Sequence, residues 1–255
     1  MRTFRVWRPL VLAVLAMVSV VVFPSVALAA TGPERIQTAW LKSGGAAGPV
    51  GAPTADAVCD GPDSGCMQTF EHATYYNSFH TNSFYVMADS IGAAYDASGG
   101  PGGRLGYPVT RASCPTGEVG CRQYFANGQI AYSAATGAYA VLRAIATDFT
   151  GLDTQYGQPW TITLGYPTGD VSCTLAGGGC MQPFQHGASY QPPTPGIYGH
   201  MMVDGAIRDL WLETGAQDGP LGYPWSDTTC DPRDSASSAS STVTSSPTPR
   251  PPACT

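Results

Sequence analysis

The sequence predicts an α+β fold: an array of about four small repeats, each combining a short helix with a β-hairpin and stapled by a disulfide. Three observations lead to this prediction. A Leu/Val-Gly-x-Pro phrase occurs four times at intervals of 55, 59 and 57 residues, and a cysteine follows nine residues after the start of every copy. A helical pattern precedes the phrase, and an aromatic strand pattern follows it. The four copies begin at Val50, Leu105, Leu164 and Leu221.

A short amphipathic helix is predicted ahead of each phrase, because an aliphatic residue lies four positions before an aromatic one. The four pairs are Ile36/Trp40, Ile91/Tyr95, Ile145/Phe149 and Ile207/Trp211. In three copies the apolar stripe reaches back another four residues, so these helices are expected to include Met87, Val141 and Val203. A glycine four residues after the aromatic predicts a left-handed helix end at Gly44, Gly99 and Gly215.

The phrase itself predicts a fixed turn, because glycine before x-Pro restricts the backbone and the leucine or valine is expected to be buried. Its third position holds Ala52 in the first copy and Tyr107, Tyr166 and Tyr223 in the others. Six residues after the leucine or valine, three copies carry aspartate, namely Asp56, Asp170 and Asp227, and the second copy carries Arg111. Such an aspartate most often bonds its own backbone, and ligand contact is the alternative.

A β-hairpin is predicted after each cysteine loop, and Asn127-Gly128 between two apolar runs is the strongest turn signal. His72 and His186 align with Asn127, which assigns these histidines to the turn rather than to catalysis. The fourth copy lacks a hairpin pattern. The prediction is therefore four helix-and-turn units with three complete hairpins.

The cysteines fit an oxidising compartment, and six of the eight form three C-x6-C pairs. Because equivalent cysteines should behave alike, each pair is expected to close a local disulfide worth about 2.5 kcal/mol. The predicted bridges are Cys59–Cys66, Cys114–Cys121 and Cys173–Cys180, with Cys230 and Cys254 pairing with each other. Zinc is the rival interpretation, but it usually needs C-x2-4-C spacing. We therefore predict no metal and no cofactor.

Residues 1–29 have the layout of a cleavable signal peptide, with an uncleaved membrane anchor as the alternative. Three arginines precede an apolar run from Leu10 to Phe23, and Ala27-Leu28-Ala29 is a small-x-small cleavage site. A repeat domain is predicted at 30–230 and a disordered Ser/Thr/Pro-rich tail at 231–255. The predicted units are about 34–86, 87–140, 141–200 and 201–230. The protein is expected to be secreted, extracellular or cell-wall associated, without membrane contact after cleavage.

Composition narrows the possible partners. Hydrophobic residues make up 43% of the chain, enough for a core, whereas charged residues make up 12% against a typical ~25%. Without the three N-terminal arginines the net charge is −9, which disfavours binding to anionic surfaces. Lys42 is the only lysine and no basic stripe exists, so nucleic-acid binding is not expected.

These landmarks resemble the LGFP repeat, a module of secreted actinobacterial cell-envelope proteins. The best match is Phe-Ala-Asn-Gly-Gln-Ile-Ala-Tyr-Ser-Ala-Ala-Thr-Gly-Ala at 125–138, with Leu-Gly-Tyr-Pro-Thr-Gly-Asp at 164–170 as the closing phrase. The resemblance covers about residues 34–229. The chain departs from the pattern in its first phrase, Val-Gly-Ala-Pro, in two hairpins without Thr-Gly-Ala, and in its C-x6-C loops.

The resemblance implies a pseudo-symmetric, propeller-like ring of small α+β units and attachment to the cell envelope. Arrays of this family accompany mycoloyltransferases and peptidoglycan-active enzymes, and they are linked to binding of polysaccharide such as arabinogalactan. We expect no enzyme domain beside the array. We therefore predict a non-catalytic protein that binds an arabinogalactan- or peptidoglycan-type cell-wall glycan.

Repetition, aromatic content and low charge also favour carbohydrate binding, since sugars are held by aromatic faces and a few polar groups. The candidate contacts are Tyr107, Tyr166, Tyr223, Asp170 and Asp227, and the alternative for the tyrosines is a place in the core. A secreted cell-wall hydrolase and a protein-binding or inhibitory module are the alternative functions. The chain has no G-x-S-x-G, no H-E-x-x-H and no phosphate-binding glycine loop, so an enzyme is not expected.

Overall fold

The computed structural model describes residues 29–114, 120–145 and 164–228, and the helices and strands of these ranges belong to one compact unit that begins at Thr31. The described ranges contain three α-helices and ten strands in three antiparallel sheets, which confirms a mixed α+β fold. The helices are α1 (Gly32–Lys42), α2 (Ser90–Ala97) and α3 (Ala206–Glu213). Within these ranges, the helices are too short or too polar to cross a membrane.

Each sheet is a meander in which neighbouring strands follow one another along the chain. The first sheet contains β1 (Val58–Gly61), β2 (Gly65–Thr69), β3 (Ala73–Asn77) and β4 (Phe84–Met87). The second contains β5 (Gly120–Phe125), β6 (Gly128–Ser133) and β7 (Gly137–Leu142). The third contains β8 (Cys180–Phe184), β9 (Gly187–Gln191) and β10 (His200–Val203). The predicted hairpins are β2–β3, β5–β6 and β8–β9.

In the second and fourth copies the helix starts later than predicted, and in the second, third and fourth copies the residue expected first on the helix lies in a further strand of the preceding sheet. Met87, Val141 and Val203 were expected on helices but lie in β4, β7 and β10. The Asp89 side chain caps α2 by accepting from the N–H groups of Ile91 and Gly92, so the helix cannot include Met87. The last residue of a strand and the first apolar residue of the following helix face the same core, and here they are four positions apart. That spacing equals the spacing of a helical stripe, so the strand residue was assigned to the helix.

The predicted helix ends and the turn of the phrase are confirmed. Gly44, Gly99 and Gly215 have φ values of 107°, 89° and 100°, in the left-handed region. The glycine of the phrase is left-handed in all four copies, with φ of 79°, 70°, 75° and 64° at Gly51, Gly106, Gly165 and Gly222.

The helix aromatic holds the phrase in place through one recurring hydrogen bond. Trp40 Nε1, Tyr95 Oη and Trp211 Nε1 each donate to the carbonyl of the phrase glycine ten or more residues later, at 2.8 Å. This hydrogen bond ties the helix to the turn of the phrase in three of the four units.

The leucine of the phrase is buried in three copies and exposed in the fourth. Val50, Leu105 and Leu164 have no exposed surface, as predicted. Leu221 is 64% exposed, so its predicted burial is wrong. In the first three units the unit's own sheet covers this residue, whereas no strand follows the phrase in the described part of the fourth unit.

The three C-x6-C disulfides form as predicted: Cys59–Cys66, Cys114–Cys121 and Cys173–Cys180. The sheets do not close on themselves within the described ranges, so the ring stays a prediction. Other predictions lie outside the described residues, namely the helix at Phe149, the Cys230–Cys254 bridge, the 231–255 tail and all but the last residue of the signal peptide.

Candidate functional site

The phrase tyrosine lies between successive units. Tyr107 is buried, and its hydroxyl donates to the carbonyl of Pro62 in the first unit at 2.8 Å. The ring lies over Gly65, directly before Cys66, where a Cβ would overlap the tyrosine hydroxyl. Tyr107 thus fixes the second unit on the disulfide loop of the first.

The same contact recurs at the next two junctions. The Tyr166 ring is buried against Gly120, which directly precedes Cys121. Tyr223 lies against Gly179, directly before Cys180, and donates to the carbonyl of Ala176 at 2.9 Å. The three tyrosines expected to contact a glycan are therefore occupied by contacts between units.

The first copy supports this structural role. Ala52 stands at the tyrosine position, and no copy of the phrase precedes it in the sequence. The fourth copy keeps Tyr223 because the third unit lies before it. Tyrosine is thus present wherever there is a preceding disulfide loop to contact.

A buried glutamine forms a second bridge between units. Gln123 Nε2 donates to the carbonyls of Tyr85 in the preceding sheet and Thr110 after its own phrase, both at 2.9 Å. Gln182 repeats this with Ala140 and Gly169, at 2.9 and 3.1 Å. Sequence reasoning missed these residues, although the signal was present. Glycine directly before and glutamine two residues after the second cysteine recur in all three units.

The residue six after the leucine also reaches the preceding unit. Asp227 Oδ1 accepts from the backbone N–H of Met201 at 2.8 Å and lies 3.5 Å from His200 Nδ1. This corrects the expected bond to its own backbone. Arg111, at the equivalent position, lies over the Tyr85 ring at 5.2 Å from its centroid.

Asp170 alone among the predicted contacts faces an open groove. The groove has a volume of about 360 Å³ and lies between α2 and β7. Four alanines and Ser98 are among the residues that line it, and Arg104, Tyr139 and Asp170 supply its larger polar groups. Arg104 and Asp170 are exposed.

A second hollow, of about 430 Å³, shares Arg104 and Leu142 with the first. Its other polar and aromatic residues are Asn127, Arg143 and Tyr198. Arg143 donates to the carbonyl of Ala126 at 3.1 Å, which fixes its guanidinium beside the hairpin turn. We refer to the two hollows together as the Arg104 groove.

The Arg104 groove is not repeated around the array. Proline precedes the leucine or valine in the first and fourth copies, where the second has Arg104. The backbone N–H of Arg143 donates to the Asn127 carbonyl. The residues that occupy this position in the first and third units are Ala88 and Asp204, so neither of those units has an arginine there. The inter-unit contacts are therefore repeated, whereas the open polar groups come from the second and third units at this one place. This differs from the expected set of equivalent sites.

The electrostatics of the groove suit binding of hydroxyl or anionic groups. Arg104 and Arg143 contribute two cations, and Asp170 is the only acidic residue lining either hollow among the described residues. The groove therefore lacks paired carboxylates in the described ranges, which contain no cluster of metal-ligating side chains either. At the junctions between units, burial raises the pKa of Tyr107 and of Tyr223 above the ordinary value, which favours the protonated hydroxyls that donate there.

Comparison with family models identifies the LGFP repeat three times, at residues 50–103, 105–157 and 164–219. The matches together span more than half of the chain. A comparison with curated proteins gave no match.

Proposed function

The chain belongs to the LGFP repeat family, which is associated with the cell wall, and on that premise we propose that it binds a cell-wall polysaccharide without catalysing a reaction. The proposed ligand is an arabinogalactan- or peptidoglycan-type glycan, and the proposed site is the Arg104 groove. The N-terminal signal pattern supports a secreted protein held at the cell wall.

The groove carries the proposal because it combines the groups that bind sugars in other proteins. Tyr139 and Tyr198 supply aromatic rings, and Arg104, Arg143 and Asn127 supply hydrogen-bond donors among the residues that line it. Arginine also binds carboxylates through two parallel hydrogen bonds, which favours glycans that carry acidic groups. The groove is shallow and open to solvent, as expected for a polymer chain that passes along the surface.

A hydrolase is the weaker alternative. Glycoside hydrolysis usually needs two carboxyl groups about 5–10 Å apart, flanking the scissile bond. Among the described residues lining the groove, only Asp170 has a carboxyl group. The geometry therefore favours binding over cleavage.

The experiment is retention of the mature, disulfide-bonded protein on purified cell walls, arabinogalactan and peptidoglycan. We expect retention on at least one of the three, and a loss of about tenfold or more in affinity for Arg104→Ala and Tyr139→Ala. Lys42→Ala is the matched control for an exposed cation, and Phe79→Ala for an exposed aromatic residue. Retention equal to that of an unrelated secreted protein would overturn the proposal, as would equal losses in the control variants.

A further inference from the structure

The fourth unit has four exposed apolar residues, and two of them, Ile207 and Leu221, have buried equivalents in the other units. Ile207 and Leu210 on α3 are 49% and 59% exposed, Leu221 is 64% exposed, and Trp225 is 86% exposed. We call these four residues the unit-four face. The residues equivalent to Ile207 are Ile36, Ile91 and Ile145, and all three are buried.

The backbone at this face is also open. In the second unit, Asn127 and Ala126 donate their N–H groups to the carbonyls of Leu105 and Tyr107, at 3.0 and 2.9 Å. Val109, directly after the phrase proline, donates to Tyr124 at 3.0 Å. The first and third units repeat all three bonds.

In the fourth unit the corresponding groups are the carbonyls of Leu221 and Tyr223 and the N–H of Trp225. These three groups have no hydrogen-bond partner within the described part of the chain. They form a short strand edge with two acceptors and one donor, placed directly beside the exposed leucine.

The open edge is nonetheless held in the geometry of a complete unit. Trp211 is buried and donates to the Gly222 carbonyl at 2.8 Å, the same bond that Trp40 makes to Gly51. Gly222 keeps the left-handed φ of 64° found in the other phrases. Because the edge is preorganised, a partner would lose little free energy in ordering it.

We propose that the unit-four face binds a β-hairpin of another protein, which adds its strands where the first three units place their own sheet. The hairpins of the first three units show which features the partner needs. Its first strand ends in an aromatic residue, as at Phe70, Phe125 and Phe184, which are buried and pair with the phrase proline. Its turn donates two N–H groups, as Ala126 and Asn127 do in the second unit.

Charge supports a basic partner. Residues 204–228 contain five acidic residues and one basic residue, Arg208. Arg208 is already paired with Asp204 at 2.8 Å. A cationic hairpin is therefore attracted to this end of the molecule, whereas a second copy of the same acidic surface is repelled.

Two other occupants fit less well. Residues 229–255 contain no glycine and no aromatic residue, so their sequence lacks the residues that recur in the three hairpins. A second copy carries three hairpins, and each already bonds its own phrase. The observations thus favour a different protein over the chain's own tail or a homodimer.

The probe is a fluorescein-labelled cyclic peptide with the sequence of residues 120–133, in which Cys121 is replaced by serine and two lysines stand in the closing turn. Its anisotropy is measured with the full mature chain. We expect saturable binding that weakens at least about tenfold with Leu221→Ala, and similarly when the peptide carries alanine in place of its phenylalanine. Glutamates in the closing turn are expected to weaken binding as well.

Leu41→Ala is the matched control, because Leu41 is 59% exposed on α1 of a complete unit. It is expected to leave the anisotropy curve unchanged. Equal weakening by Leu41→Ala, or no saturation at about 1 mM peptide, would overturn the proposal. A dimer in sedimentation equilibrium that Leu221→Ala dissolves would assign the face to a second copy. Binding seen only when the chain is shortened to residue 228 would assign it to the tail, and either result overturns the proposal.

Discussion

At the scale of single residues, the junctions between units depend on the pairing of a large ring with a glycine. Tyr107 occupies the space that a side chain at position 65 would need. Its hydroxyl then reaches Pro62, so one residue supplies both apolar contact and a buried hydrogen bond. Phenylalanine at position 107 could fill the same space but could not make this hydrogen bond.

Gly65→Ala is therefore expected to destabilise the protein by about 1–3 kcal/mol, because the new methyl group must displace the Tyr107 ring. Gly102→Ala is the matched control, since its Cβ would meet only Pro62 at 3.9 Å and its φ is not positive. The measurement is the free energy of unfolding in urea with the disulfides intact. Equal effects of the two substitutions would show that Tyr107 does not occupy the junction as tightly as described.

At the scale of elements, the aromatic residues of strands and helices form the core and carry buried hydroxyls. Tyr76 on β3 packs edge-on against Tyr95 on α2, with ring centroids 5.4 Å apart. Burial, and then the nearby Asp96 carboxylate, raises the pKa of Tyr76 to about 12. Burial likewise raises the pKa of Tyr95.

These shifts predict alkaline destabilisation. A tyrosine whose pKa is higher in the folded state than its ordinary value of 10.0 stabilises the fold fully below pH 10, and this contribution is lost as the pH rises through 12. We expect the urea midpoint to fall steadily between pH 10 and pH 12, and to fall less steeply in Tyr76→Phe. A thiol assay on the same samples checks that the disulfides survive. An identical pH slope in both proteins would contradict the assignment.

Some elements could be predicted from the sequence and others could not, depending on whether nearby or distant residues determine them. The turns and local disulfides were predictable, because left-handed glycine, proline and short cysteine loops act locally. The third strands were not, because Val141 and Val203 satisfy helical spacing while they pair in a sheet. The Arg104 groove was also missed, since Arg104 and Arg143 are far apart in sequence and neither recurs in the other units.

At the scale of the whole molecule, repeated positions and unrepeated positions serve different purposes. One hydrophobic cluster runs from Tyr76 in the first unit to Val203 in the third, so the first three units share a continuous core. The repeated tyrosines and glutamines maintain that core. The open surfaces lie where the repetition fails, at the Arg104 groove, which residues of the second and third units line, and at the unit-four face.

The two surfaces are accordingly expected to act independently. They share no residue, since none of the four residues of the unit-four face lines either hollow of the Arg104 groove in the described part of the chain. Leu221→Ala should leave retention on cell-wall glycan unchanged, and Arg104→Ala should leave hairpin-peptide binding unchanged, each within about twofold. The measurement combines both assays on the two single variants and on the double variant. A loss of both activities in either single variant, with an unchanged urea midpoint, would mean that one surface serves both ligands, because independent sites have no coupling free energy.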